Sequence, residues 1–209
     1  MKQKNKIANA LKHLSKNDNT LSTLIKKIGT CNLQPRRKYF NLLVRSIVGQ
    51  QLSVTAANAI SKKFFDYFNQ KPTPEKLIKT SHEVLRSLGL SNAKARYVKD
   101  LSQKIIDGKV SLKNISRLSD EQIIEELTKV KGIGIWTAHM FLIFTLGRFN
   151  VLPYSDLGIR KAVMLNYGLR KLPNEKKIFK LSKENNWHPY CSVACLYLWE
   201  SLDKGILIN

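Results

Sequence analysis

At 209 residues the chain is long enough to bury the core of one large domain or two small ones, and no apolar run approaches the eighteen or so residues of a membrane helix. Thirty-six Lys and Arg against fifteen Asp and Glu give a formal charge of +21, a field that draws in polyanions, nucleic acid first among them. A solvated basic surface is the plain alternative; a membrane surface is disfavoured, because no segment pairs a basic face with exposed Trp, Phe or Leu.

The first segment, MKQKNKIANALKHL, is basic but is followed by neither an apolar core nor a small-residue cleavage site, so no secretory signal is expected. Strand alternation and Asn-Gly or Asp-Gly hairpin turns are nearly absent. Helical periodicity is frequent instead: Phe40, Leu43, Val44, Ile47 and Val48 in one stretch, then Val54, Ala57, Ile60, Phe64 and Phe68 in the next. Helix starts are marked by Ser53, Ser81 and Ser91, by Thr73 before Pro74, and by Ser119 with Gln122 as a capping box. Roughly nine or ten short helices follow from this reading, hence an all-α protein.

Gly147 to Gly158, GRFNVLPYSDLG, is the clearest interruption of the helical pattern. It divides the chain into a helical subdomain over 36–148 and a second built from 1–35 and 149–209, with the active cleft expected between them. The stretches LRSLGLSNAKA and LTKVKGIGIWTA both run helix, glycine turn, helix, but the first lacks the second glycine and is at best a degenerate copy.

The stretch EELTKVKGIGIWTAHMFLIFTLG reads as a helix from about Asp120, a hairpin at Lys131 to Gly134, and a second helix to about Leu146. Glycine permits positive φ and removes the side chain that would hold a ligand away from the backbone. The first N–H groups of the following helix lack intrahelical partners, so the hairpin is suited to one phosphate. An ordinary tight turn would also explain an isolated Gly-x-Gly; the charge around it favours phosphate. His188, Cys191 and Cys195 share one helical face, but a single helix converges poorly on an ion, and no metal is expected. The three cysteines, Cys31 included, make no disulfide framework, and the chain reads as a soluble intracellular protein. His13, His82 and His139 are expected on surfaces or helix faces.

The hairpin resembles the helix-hairpin-helix motif of the DNA glycosylase superfamily that includes endonuclease III. Four further segments resemble the same family in order: LLVRSIVGQQLSVTAANAI, GLSNAKARYVKDL, NVLPYSDLGIRKAV and WHPYCSVACLYLWE. Within the family the alkylpurine branch, similar to 3-methyladenine-DNA glycosylase II, is the better match. Trp136 stands where bifunctional members carry a nucleophilic lysine, and the cysteines are too few for the iron–sulfur cluster of other members.

The resemblance implies a monofunctional enzyme without a cofactor, acting on double-stranded DNA that contains a damaged base. It implies Asp156 as the catalytic carboxylate, although an aspartate there is also a favoured helix N-cap. Trp136, Trp199, Tyr154 and Met140 are implied as walls of the base pocket, with core packing the alternative for each tryptophan. Met140 and Cys191 depart from residues common in relatives. Lys131, Gly132, Ile133 and Gly134 are implied as the phosphate-binding turn, Gln50 and Gln51 as residues near the DNA-facing mouth, and Ser91 or Asn92 as the wedge. Arg160 and Lys161 read as phosphate contacts or surface charges. A monomer is expected, working in the cytoplasm (nucleoid) of a prokaryote or the nucleus of a eukaryote. A non-catalytic DNA-binding protein, a glycosylase of another lesion specificity and a glycosylase/lyase are the competing readings.

Overall fold

The computed structural model describes residues 2–208. Among them the regular structure is wholly helical, in twelve α-helices: α1 (Lys2–Asn17), α2 (Asn19–Ile28), α3 (Tyr39–Gly49), α4 (Val54–Tyr67), α5 (Pro74–Lys79), α6 (His82–Ser87), α7 (Asn92–Ile106), α8 (Asp120–Thr128), α9 (Ile135–Met140), α10 (Leu157–Asn166), α11 (Glu175–Glu184) and α12 (Cys191–Asp203). A single 3₁₀ turn covers Ile115–Arg117, and Phe141–Thr145 is wound as a π-helix. The count exceeds the nine or ten expected, although the starts of the short helices α5 and α6 were themselves marked by Thr73 and Ser81.

Each start signal in the sequence is an N-cap. The side chains of Ser53, Thr73, Ser81 and Ser91 accept from the backbone N–H three residues on, and Ser119 with Gln122 forms the reciprocal capping box. Such a cap stabilises a helix by about 1 kcal/mol, a sizeable share for helices too short to persist alone.

The chain forms two compact units, one from Met1–Pro35 and Leu142–Asn209, the other from Arg36–Phe141. In the second unit α7 packs on α3, α5 and α6, and α8 on α9. The α3 stripe is buried at Leu43, Val44, Ile47 and Val48. Of the expected α4 stripe, Phe64 and Phe68 are buried, with Phe65 beside them, whereas Val54, in the first helical position, is 78% exposed.

The first unit is organised around α12, which packs on α1, α2 and α10. Its run CSVACLYL is nearly apolar on every side and almost wholly buried, as expected of a central helix. The interior also holds a carboxylate. Asp18 is 1% exposed and caps α2 through the Leu21 N–H at 2.9 Å. Its other oxygen accepts from the Tyr167 hydroxyl at 2.6 Å and the Trp187 indole N–H at 2.7 Å.

Candidate functional site

Asp156 lies in the first unit as the N-cap of α10, 8% exposed. Its Oδ1 accepts from the Ile159 N–H at 2.8 Å and from the Trp199 indole N–H at 2.9 Å. The two bonds fix its position. Room for the indole comes from Gly158. A Cβ there would stand 3.0 Å from Asp156 Oδ1 and 3.2 Å from Trp199 Nε1.

Aromatic pairs adjoin the residues around this carboxylate. Trp199 packs against Phe144, with ring centroids 5.5 Å apart, and Tyr154 against Phe179 at 4.7 Å. Phe144, Leu157 and Phe179 are among the exposed large hydrophobic residues. A π-wound turn shifts side chains out of helical register and is common at functional sites, and Phe144 sits in one. Exposed apolar side chains gathered near a buried charge mark a binding surface more than a folding requirement. Neither phenylalanine was legible as a site residue: each lies in an apolar or basic helical run with no local signal.

The second unit carries the hairpin. Its two glycines have different reasons. Gly132 has φ +82°, and a Cβ on it would fall 2.1 Å from the Tyr97 ring, so the fold itself demands glycine. Gly134 is extended at φ −97°, and a Cβ there would meet nothing within 4 Å. Gly134 is the N-cap of α9, a position that glycine suits, and the space beside it is open. Ile133, expected among the contact residues, is instead buried at 4% and anchors the turn through its N–H to the Val130 carbonyl at 3.1 Å. Lys131 is exposed, and Trp136, in the first turn of α9, is 43% exposed.

Gln50 donates its amide to the Gly132 carbonyl at 2.8 Å, and Gln51 adopts φ +55°. A cavity of about 380 Å³ is lined by Gln50, Gln51, Ser91, Lys94, Tyr97 and Trp136, among others. Lys94 donates to the Val48 carbonyl at 2.8 Å, and burial pushes its ammonium below the usual lysine range. Ser91 spends its hydroxyl on capping α7, and the Asn92 carbonyl lies 3.1 Å from His82 Nε2. Beside Gln51, Leu52 is 38% exposed, like Val54 after it.

Met140 is half-buried, and Arg160 is tied to the Pro173 carbonyl at 2.7 Å, a structural bond that no sequence feature signals; Lys161 is exposed. His139 lies on the buried face of α9, 6% exposed, and burial pulls its pKa down. Among the described residues no group of three or more His, Cys, Asp or Glu side chains could hold a metal ion. Burial raises the Cys191 thiol to about 11 and Cys195 well above its ordinary range, which keeps both protonated. No helix among the described residues is long and apolar enough to cross a membrane.

A helical chain with a two-glycine turn between helices, and an aspartate fixed at a later helix start, falls in the helix-hairpin-helix class. The chain belongs to the HhH-GPD superfamily of base excision DNA repair proteins, whose family model matches residues 44–186. It is 34% identical over 197 residues to the alkylbase DNA glycosidase-like protein mag2 of Schizosaccharomyces pombe, covering 91% of this chain and 92% of that one. It is 36% identical to DNA-3-methyladenine glycosylase 1 of the same yeast, covering 90% and 85%. Among solved structures, it superposes with a TM-score of 0.85 on the S. pombe 3-methyladenine DNA glycosylase Mag1 in complex with abasic DNA, at 35% identity over 93% of this chain and 97% of that one. A DNA-3-methyladenine glycosidase from Bacillus halodurans matches at a TM-score of 0.79 and 35% identity, covering 92% and 88%.

Proposed function

We infer that this chain is a monofunctional DNA glycosylase that hydrolyses the N-glycosidic bond of alkylated purines in duplex DNA and leaves an abasic site. The observation that carries the reading is Asp156: a buried carboxylate at a helix start, fixed by a backbone and an indole N–H, among exposed aromatic rings. The names of the relatives point to the same chemistry.

Breaking an N-glycosidic bond builds positive charge on the sugar, as in glycoside hydrolysis. A fixed carboxylate stabilises that charge and can orient or deprotonate the attacking water. An alkylated purine leaves from a cationic state, so a general acid is not needed to the same degree. The base must first leave the stack. Trp136, Trp199, Tyr154 and Met140 are assigned to its reception, and an indole face attracts a cationic base by about 1–2 kcal/mol when desolvated. Lys131, Gly132 and Gly134 are assigned to the phosphate backbone, where N–H groups and charge bind without reading sequence; Ile133 contributes as the buried anchor. The exposed segment from Gln51 to Val54 is a better wedge than Ser91 or Asn92, whose polar groups have neighbours of their own.

Release of free base from methylated duplex DNA tests the reading. Asparagine caps a helix as well as aspartate does, so Asp156→Asn should leave the thermal midpoint within a degree or two while cutting base release by about 10²-fold or more. Wild-type protein that binds DNA but releases no base would establish the non-catalytic alternative. Borohydride should trap no covalent adduct; an adduct would make it a lyase. The proposed site of action is the compartment holding the DNA, with the protein acting as a monomer.

A further inference from the structure

The hairpin turn is held from one side by a single face of α7. Tyr97, Asp100 and Lys104 lie at i, i+3 and i+7 on that helix, one stripe of side chains. The Tyr97 ring fills the space beside Gly132. Asp100 Oδ2 accepts from the backbone N–H of Lys131, the first residue of the turn, at 2.8 Å, and from Lys104 Nζ at 2.8 Å. Lys104 Nζ also donates to the carbonyl of Lys129, where α8 ends. One ion pair thus fastens the end of α8 and the beginning of the turn.

This pair is unlike the others of its spacing. The side chains of Asp100 and Lys104 are 18% and 22% exposed, whereas Lys62 and Asp66 are 47% exposed or more. Solvated pairs contribute little; a sheltered pair that also bonds to backbone is directional and stronger. Burial alone would raise the Asp100 carboxyl, but Lys104 and the Lys131 N–H outweigh it and hold the group below its usual range.

We propose that Asp100, through its ion pair with Lys104, is a positioning residue that sets the hairpin in its phosphate-binding conformation before DNA arrives. The proposal rests on the assignment of the hairpin to DNA. A turn that had to be ordered on binding would lose that ordering entropy from its affinity; the α7 face removes the loss in advance. Chemistry decides between this and a bland reading. Asp100 is a negative charge close to an anion site, so if it were only a surface charge, its removal would tighten DNA binding. As a positioning group, its removal loosens it.

The test measures duplex affinity at one salt concentration, with single-turnover base release, for wild type, Asp100→Ala, Asp100→Asn and Gly134→Glu. Asp100→Ala is expected to weaken binding about tenfold, with half-saturation moving and the rate at saturating duplex staying within about twofold. Asp100→Asn, which retains an acceptor for the Lys131 N–H but not the ion pair with Lys104, should recover only part of that loss, a graded result that a merely unfolded variant could not mimic. Unchanged or tighter binding by Asp100→Ala, while Gly134→Glu binds poorly, overturns the proposal alone. Wild-type affinity in Gly134→Glu would mean that the hairpin does not hold DNA, and both readings fall.

Discussion

Gly158 shows how a small residue can constrain chemistry without any backbone strain. It occupies the second position of α10, where alanine is the better helix former by about 1 kcal/mol. Stability alone would favour the substitution. The added methyl, however, would press on Asp156 Oδ1 and the Trp199 indole at 3.0 and 3.2 Å, closer than ordinary contact. Gly158→Ala is therefore expected to keep or raise the thermal midpoint while lowering single-turnover base release about tenfold, since small misplacements of a reacting group are costly. Equal rates in the two proteins would show that catalysis tolerates movement of this carboxylate. The two hairpin glycines differ as well: Gly132 answers to Tyr97 and to its φ, and Gly134 caps α9 with open space beside it.

At the scale of elements, helix starts were legible because a cap is a local event, settled by a side-chain oxygen and an N–H three residues apart. Ser91, Ser119 and Asp156 all behave in this way. Burial of the α3 stripe was legible for the same reason, through period. What depended on distant partners was not. Nothing local distinguishes Asp100 from Asp66, or His139 from a surface histidine, and Ile133 in a glycine turn gave no sign of being core. Asp18 is the sharpest case: its cap of α2 is a local matter, but Tyr167 and Trp187 reach it from 149 and 169 residues away. Asp18→Ala would remove the cap and leave two buried donors without their acceptor. At about 1 kcal/mol for the cap and 1–3 for each donor, a loss of about 3 kcal/mol or more is expected in urea unfolding. A loss under 1 kcal/mol would mean that water replaces the carboxylate, and that this network does not hold the first unit together.

For the whole molecule the charge is the feature that composition announced first, and its distribution adds something the total did not. The unit with the hairpin, Arg36–Phe141, holds nineteen Lys and Arg against nine Asp and Glu; the remainder of the chain holds seventeen against six. The unit without the hairpin is therefore at least as basic as the one that carries it. If the hairpin alone met the duplex, one phosphate would be neutralised and log K would fall against log salt with a slope near −0.9. Charge shared by both units predicts several phosphate contacts and a slope steeper than about −3, measured by titrating an undamaged duplex between low and moderate salt. Gly134→Glu should reduce that slope by about one unit or a little more, because it removes one contact among several. A wild-type slope shallower than −1 would reduce most of the +21 to solvated surface, and would leave the hairpin to account for affinity by itself.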